Sequence, residues 1–359
     1  MKLALFDDYP HERGHHPDLL VGLAVAASAR VYCPLQFLEG HASDEPLDHV
    51  EMVGARDGSA DTTAQNLSFA YRDAANAGCQ AVVNLFFDEN WDSFPINTCG
   101  LPSVHVLHRP AELTGALGGV NAMKPMDPLT VLEALSLTDT FVVHTTAGEE
   151  QALQLLPQNA VVRIGWPSAR QSEIRERFDH DWQLPDSEPY VLLLGEALDY
   201  KGIHFLLEAL NPGPFLRIAG NLAVGDRQWL HQNYPSARVA WETGWITRSR
   251  MNSLIDGAAV IAFPYLQEFA LHGGVSAALV HALSFAKPVV ISEALVGQVP
   301  PWLVAATVPV DDIAALREEL TRVVAASTEA HAQARANLDY MLAHHSYERH
   351  VNELVALIS

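Results

Sequence analysis

The sequence predicts a two-domain α/β protein, each domain built on a doubly wound parallel sheet. Three features support this prediction. The chain has 359 residues, which suits two domains better than one. Short apolar runs alternate with helical patterns, as is typical of parallel strands covered on both faces. A segment rich in proline and charge, residues 165–189, separates two such halves and is interpreted as the interdomain connection.

In the first half, apolar runs bounded by turn residues predict strands, and 3.6-residue periodicity predicts the helices between them. The predicted strands are Lys2–Phe6, Arg30–Cys33, Ala81–Phe87, Ser103–Leu107, Thr140–His144 and Val161–Ile164. The predicted helices are about His16–Ala29, Ala64–Ala77, Leu129–Leu137 and Glu149–Leu156.

The second half shows the same alternation and ends in helices. The predicted strands are Val191–Leu194, Phe215–Ala219, Ala237–Ala240, Val260–Phe263 and Val289–Ile291. The predicted helices are Ile203–Leu210, Asp226–Asn233, Arg248–Ile255 and Val275–Phe285, then helices from Asp311 and a last one at about Ser346–Ile358. We therefore expect domains at residues 1–168 and 186–340, with ligands bound in a cleft between the carboxyl ends of both sheets.

The composition argues against several classes of binding partner. The net charge of −21 argues against nucleic acid and anionic membranes, although acidity also serves plain solubility. No signal peptide is evident, and no apolar stretch approaches the roughly 20 residues of a membrane span, so no stable membrane anchor is expected. Three cysteines without a CxxC pair indicate a reducing compartment, and we expect a cytoplasmic protein.

The strongest local signal is GEALDYKG, residues 195–202, where a predicted strand ends and a helix begins. Lys201 is one of only four lysines, and at this junction its side chain can reach an anion near the amides of the helix. The alternative is a solvated surface lysine.

A second signal is the polar loop after the predicted strand Val260–Phe263. Glu268 could accept hydrogen bonds from sugar hydroxyls. Gly273 and Gly274 precede an apolar helix, so their amides could approach a diphosphate, or they could simply form a tight turn.

These motifs, in this order, resemble the donor domain of family 4 glycosyltransferases. The similar segments are Gly195–Gly202, Phe215–Gly220, Trp241–Ile246 and Ala259–Ser292, and the last of these resembles the family's "PS..E.fG....EA.a.G.PVv.s" signature. The first half is similar through Pro10–His16, His108 and Val142–Thr146. The resemblance implies a GT-B fold, two Rossmann-like domains with the C-terminal helix (residues 341–359) packing back on the first domain.

The resemblance also implies roles for individual residues. Lys201 is expected at the donor diphosphate, His108 near the transferred sugar, and Glu268 facing that sugar. Further substrate contacts are expected from Gly14 and, at the nucleotide base, from the backbone around Gly244 and Ile246. The loop that ends at Ser276 is expected to line the same site through His272, Gly273, Gly274 and Val275.

Two residues depart from the family pattern. Glu196 stands where the family has an arginine beside the diphosphate, and a carboxylate there repels phosphate unless it points away. His281 takes the place of the glutamate that normally binds the ribose, and an imidazole could still donate to a ribose hydroxyl.

Other candidate residues keep open alternatives. His15 and His16 could contact the acceptor or the diphosphate, could join His11 and Glu12 at a metal, or could simply belong to a polar loop; no metal site is predicted. His108 could also lie in a solvated loop. Asp7 and Asp8 could bind the acceptor. Trp241 and Trp245 suit a core better than base stacking.

The predicted function is a retaining, metal-independent transferase that moves a sugar from a nucleotide-diphosphate donor to a small-molecule or carbohydrate acceptor. The donor is a co-substrate, and no cofactor is expected. The alternatives are a GT-B protein that binds a ligand or partner without transfer, and another GT-B enzyme such as a sugar-nucleotide epimerase or a phosphorylase. The oligomeric state is left open, with a homodimer as one option.

Overall fold

The computed structural model describes residues 1–8, 16–34, 38, 47–52, 60–87, 98–111, 140–154, 156, 158–179, 188–195, 198–220, 224–242, 244, 246–271 and 273–359. The chain forms two compact units. The first comprises Met1–Arg170, Leu271–Val275 and Ser346–Ser359. The second comprises Gln171–Ala270 and Ser276–His345.

The first unit contains a seven-stranded sheet in the order β3-β2-β1-β4-β5-β6-β7, with every pair of neighbours parallel. The strands are β1 Leu3–Phe6, β2 Arg30–Cys33, β3 Asp48–Glu51, β4 Ala81–Asn84, β5 Ser103–Val106, β6 Thr140–Val143 and β7 Val161–Arg163. The order reverses between β1 and β4, so this sheet is doubly wound.

The second unit contains a six-stranded parallel sheet in the order β10-β9-β8-β11-β12-β13. Its strands are β8 Tyr190–Leu194, β9 Phe215–Ala219, β10 Val239–Glu242, β11 Val260–Phe263, β12 Val289–Ser292 and β13 Ala306–Val308. The order again reverses next to the first strand of the unit, between β8 and β11. Ligands of open α/β sheets bind at the carboxyl ends of the strands near such a reversal.

Helices connect the strands in both units. In chain order, the α-helices of the described residues are α1 His16–Ala27, α2 Ala60–Asn76, α3 Thr146–Ala152, α4 Gln171–Asp179, α5 Ile203–Ala209, α6 Val224–Asn233, α7 Arg248–Gly257, α8 Gln267–Leu271, α9 Ala277–Ser284, α10 Ile313–Ala325, α11 Ser327–Ala336, α12 Leu338–His344 and α13 Tyr347–Ile358. Among the same residues, no helix is both long and apolar enough to cross a membrane.

Each sheet has its own apolar core. In the second unit, buried residues of β8, β9, β11 and β12 pack against α5 and α10, with Leu206, Leu216 and Leu320 fully buried. In the first unit, α2 packs on β1 and β4 through Leu67, Ala70 and similar residues. Helices on both faces explain why the strands are almost continuously apolar.

The predicted fold class is confirmed, and most predicted elements agree with the structure within a few residues. Two strands were not predicted, β3 and β13. Residues 165–189, interpreted as an interdomain connection, contain helix α4, which belongs to the second unit. The predicted helix Leu129–Leu137 lies outside the described residues.

Candidate functional site

Lys201 lies at the carboxyl edge of the second sheet, in a short 3-10 turn, Asp199–Lys201, after β8. Its Nζ lies 2.7 Å from the place a Cβ would occupy on Gly195, and Gly195 has a φ of +93°. The side chain therefore folds back against the backbone that follows β8, where the positive φ of residue 195 favours glycine. Nζ is also 6.0 Å from the centre of the Tyr265 ring.

The loops after β8 and β11 touch each other at the strand-order reversal. Gly202 has a φ of +69°, and a Cβ there would collide with the carbonyl oxygen of Pro264. Leu266 N donates to Tyr200 O at 2.7 Å, and the Tyr200 ring stacks on Phe269 at 5.6 Å. The structure thus brings together the two segments that the sequence singled out.

Ser276 begins helix α9 as its N-cap, and its Oγ accepts from Leu279 N at 3.3 Å. Its hydroxyl lies 3.4 Å from the Tyr265 hydroxyl, and the Tyr265 carbonyl accepts from Ser292 Oγ. The Ser276 N–H, expected to hold phosphate, donates to Gln298 Oε1 at 2.8 Å. In this structure the amide N–H is therefore already hydrogen-bonded to a side chain.

Gly273, Gly274 and Val275 are counted with the first unit, whereas Ser276 is counted with the second. Thr145 Oγ1 donates to Gly273 O at 2.7 Å. The sequence predicts a single loop over residues 268–276, but in the structure these residues are divided between the two units.

Of the remaining donor-side candidates, Glu268 is exposed on the short helix α8. Gly244 is exposed after β10 with a φ of +93°, and Ile246 follows it, half-buried. His281 lies on α9, where Nε2 is 3.3 Å from Asn252 Oδ1. Its ring is thus already engaged with α7.

His108 follows β5 at the carboxyl edge of the first sheet. It is 7% exposed, its Nε2 lies 2.7 Å from Leu85 O, and its ring stacks on Phe86 at 4.0 Å. The solvated-loop alternative is therefore wrong. Because the ring donates to a carbonyl through Nε2, the neutral tautomer carries its lone pair on Nδ1.

His108 has two aromatic neighbours that the sequence did not single out. Trp166, after β7, is 5.1 Å from the His108 ring, and His144, after β6, is 5.6 Å from it. His144 Nδ1 lies 2.9 Å from Ile164 O. A polar residue directly after a buried strand is the sequence signal that could have identified His144.

Asp7 and Asp8 directly follow β1 and are 0% and 1% exposed. Asn66 Nδ2 donates to Asp8 Oδ2 at 3.1 Å. Burial, with a smaller contribution from adjacent Asp7, raises the pKa of Asp8 to about 6, although hydrogen bonds from Asn66 and Thr63 act in the opposite direction. Asp8 is therefore packed against α2.

Several candidates cannot be placed. Gly14, His15, Glu196 and His272 lie outside the described residues, as do His11, Glu12 and Trp245. His16 begins α1, but its side chain is not described. Trp241 packs against the core of the second unit. Within the described ranges, no three His, Cys, Asp or Glu side chains are grouped as metal ligands require.

Comparison with known proteins identifies relatives by structure only. The sequence matches no protein-family model and none of the curated proteins. Sucrose-phosphate synthase from Thermosynechococcus elongatus has a similar structure, with a TM-score of 0.70, 16% identity, and 99% of this chain and 98% of that chain covered.

Two further solved structures are similar over almost their whole length. A glycosyltransferase from Rickettsia africae gives a TM-score of 0.71 at 11% identity, with 99% of this chain and 97% of that chain covered. HepE from Anabaena, solved in complex with UDP, gives 0.62 at 15% identity, with 99% and 98% covered. At these identities the similarity shows the fold, and that fold is of the GT-B type.

Proposed function

We propose that this chain is a glycosyltransferase that moves a sugar from a nucleoside-diphosphate donor to a small-molecule or carbohydrate acceptor. One observation carries the proposal. Lys201, the cation after β8, lies beside the loop that follows β11, at the strand-order reversal of the second sheet. Such a reversal is where doubly wound sheets bind nucleotides. The glycosyltransferases among the structural relatives support the same reaction class.

On this proposal, the donor diphosphate lies against the Lys201 ammonium, and the roles of the Gly273 and Gly274 amides stay predictions. The Ser276 amide can bind the diphosphate only if Gln298 Oε1 moves away, since that oxygen now accepts its proton. A cation and aligned amides are what a diphosphate requires, because it is anionic and rich in hydrogen-bond acceptors.

The remaining parts of the donor are the sugar and the nucleoside. We assign the sugar to Glu268 and the nucleoside to the backbone at Gly244 and Ile246, and the role of His108 stays a prediction. His281 would reach the ribose only by giving up Asn252. The roles of Gly14, His15, His16 and Glu196 stay predictions.

The proposed chemistry proceeds with retention and needs no metal. Negative charge develops on the leaving diphosphate, so the fixed Lys201 ammonium and helix-terminal amides stabilise the transition state more than the ground state. An oxygen of the leaving phosphate accepts the proton of the acceptor hydroxyl. A pair of carboxylates of the glycosidase type is therefore not required.

A thermal-shift series with UDP, GDP, ADP and TDP tests the donor site. We expect one of them to stabilise the protein, since a ligand at 100 times its Kd adds about 2.7 kcal/mol to the free energy of unfolding. The Lys201→Ala variant should lose most of this stabilisation. Lys2→Ala is the matched control, because Lys2 precedes β1 and pairs with Asp48 at 3.2 Å.

Turnover with a labelled donor then identifies the reaction. Appearance of label in an acceptor supports transfer, whereas label confined to an altered nucleotide sugar indicates an epimerase, and label in a sugar phosphate indicates a phosphorylase. Wild-type protein that no nucleoside diphosphate stabilises would contradict the proposal and leave a protein that binds another ligand or partner. Unchanged turnover in Lys201→Ala would show that the site is misassigned.

A further inference from the structure

The backbone N–H of Ser276, at the start of helix α9, is hydrogen-bonded to a side chain that is distant in sequence. Gln298 Oε1 accepts from this N–H at 2.8 Å, across 22 positions. Ser276 is also the N-cap of α9, and its Oγ accepts from Leu279 N at 3.3 Å. All three residues belong to the second unit, so the contact is made within one compact part of the chain.

The local sequence of α9 explains why the Ser276 N–H takes a distant partner. In a capping box, a Glu or Gln three residues after the N-cap accepts the N–H of the N-cap residue. In this chain that position is Leu279, whose side chain has no acceptor atom. Gln298 supplies the oxygen instead, from the segment that joins β12 to β13. The helix itself therefore leaves this N–H to an acceptor from outside.

Gln298 lies in a turn that leaves its side chain room to move. Val296 is 57% exposed, and Gly297 is exposed with a φ of +92°. The backbone of the turn is held by Val296 N, which donates to Glu293 O at 3.1 Å, and by Gln298 N, which donates to Leu295 O at 3.2 Å. Gln298 itself is half-buried. Its carboxamide can therefore reach solvent by rotation about its own side-chain bonds, with the turn intact.

Tyr265 links the start of α9 to the Lys201 ammonium within the second unit. Lys201 Nζ is 6.0 Å from the centre of the Tyr265 ring, and the hydroxyl of that ring is 3.4 Å from Ser276 Oγ. Tyr265 is 2% exposed, so one buried ring neighbours both the cation and the N-cap. An anion held by Lys201 is therefore also close to the start of α9, where the helix dipole favours negative charge.

We propose that Gln298 is a gate at the donor site. Its carboxamide oxygen takes the place of a diphosphate oxygen at the Ser276 N–H, and the side chain swings away when a nucleoside diphosphate binds. This gate rests on the proposed function. The exchange is favourable because a charged phosphate oxygen forms a stronger hydrogen bond than a neutral amide carbonyl does. The bond that is given up still weakens nucleotide binding by about fivefold, the contribution of one neutral hydrogen bond.

Two substitutions of Gln298 should shift nucleotide binding in opposite directions. Gln298→Ala removes the competing oxygen, so the Kd of whichever of UDP, GDP, ADP and TDP binds should fall about fivefold. Gln298→Glu keeps an oxygen in place and makes it anionic. Its Kd should rise about fivefold or more, because a carboxylate holds the N–H more strongly and repels phosphate. Removing a residue that only caps a helix would not tighten binding.

Amide hydrogen exchange in nucleotide-free protein tests the contact separately from binding. Exchange of the Ser276 N–H should be about fivefold faster in Gln298→Ala and no faster than wild type in Gln298→Glu. Val296→Ala removes an exposed side chain from the same turn and should alter neither exchange nor Kd. Val296→Glu adds a charge to the turn without the hydrogen bond. At about 0.15 M salt it should raise the Kd by less than about twofold, because an exposed charge is screened.

The outcomes distinguish the gate from the proposed function. Unchanged Ser276 exchange in Gln298→Ala would overturn the gate, whether or not a nucleotide binds. Faster exchange with an unchanged or higher Kd would also overturn it, leaving Gln298 as a cap of α9. Equal rises in Kd for Gln298→Glu and Val296→Glu would assign the effect to charge alone. If no nucleoside diphosphate binds wild type or Gln298→Ala, the proposed function fails and the gate with it, and the exchange data still decide whether Gln298 holds the Ser276 amide.

Discussion

Asp8 illustrates how a single residue couples the fold to pH. Its carboxyl group is buried at the end of β1, beside Asp7, and hydrogen bonds from Asn66 and Thr63 only partly offset the cost of burial. The pKa in the folded protein is therefore about 6, above the ordinary value of 3.8. At pH values between these two pKa values, the Asp8 carboxyl is therefore protonated more often in the folded state than in the unfolded state.

We predict that Asp8→Asn removes the destabilisation that the buried, ionised Asp8 carboxylate causes at neutral pH. A raised carboxyl pKa stabilises the fold at low pH, and this contribution disappears as the pH rises from about 4 to above 6. Two pKa units correspond to about 3 kcal/mol. The free energy of unfolding of the variant minus that of the wild type, measured in urea, should be about this much larger at pH 8 than at pH 4.

The control is Asp339→Asn, which removes an exposed carboxylate from helix α12. Its stability relative to wild type should differ little between the two pH values. A constant difference between Asp8→Asn and wild type from pH 4 to 8 would contradict the prediction.

Helix α4 shows how a buried polar side chain anchors one element to another. Arg177 Nη1 donates to Ser284 O at 2.6 Å and to Ser284 Oγ at 2.9 Å, at the end of α9. Its guanidinium lies 3.5 Å from the centre of the Phe285 ring. Burial lowers the Arg177 pKa to about 10, a value that keeps the side chain charged at neutral pH. The contact joins α4 to α9.

We predict that Arg177→Met lowers the free energy of unfolding by about 2–3 kcal/mol. The methionine keeps much of the packing on Phe285 but leaves the Ser284 carbonyl without its charged donor. Arg175→Met, on the exposed side of the same helix, should change stability by less than about 0.5 kcal/mol. Equal losses in the two variants, measured by urea unfolding, would show that Arg177 is not an anchor.

At the scale of the whole molecule, the first unit is discontinuous in sequence. Helix α13, at the end of the chain, packs on α1 near its beginning, and Tyr347 Oη donates to Asp18 O at 3.1 Å. The Tyr347 ring fills the space above Gly22, where no side chain would fit. Tyr347 N also donates to Ala169 O at 3.0 Å. The first unit therefore combines residues 1–170 with residues 346–359.

We predict that Leu354→Ala, in α13, lowers the stability of the first unit by about 2–5 kcal/mol. Leu354 is 0% exposed, and removing a buried leucine side chain leaves a cavity. Hydrogen exchange should accelerate in α1, whereas exchange in β8 and β9 should not. Asn352→Ala, exposed on the same helix, is the control. Acceleration in both units alike would contradict an effect confined to the first unit.

The sequence by itself determined the alternation of strands and helices, because burial on both faces of a parallel strand requires a continuous apolar run. It missed β3, whose Asp48–Glu51 run contains only one aliphatic residue, and β13, which has three residues. It also missed α4, because the helix lies among charges and prolines with little apolar periodicity. Periodicity fails where an element is short or mostly exposed.

The sequence also singled out Lys201 and the glycine pair, because glycine and a rare cation at strand ends are local signals. Only the tertiary structure decided what those residues contact. It placed Gly273 against Thr145, 128 positions away in sequence, and gave the Ser276 amide to Gln298. Such pairings depend on how separate segments pack, and no local pattern of residues encodes them.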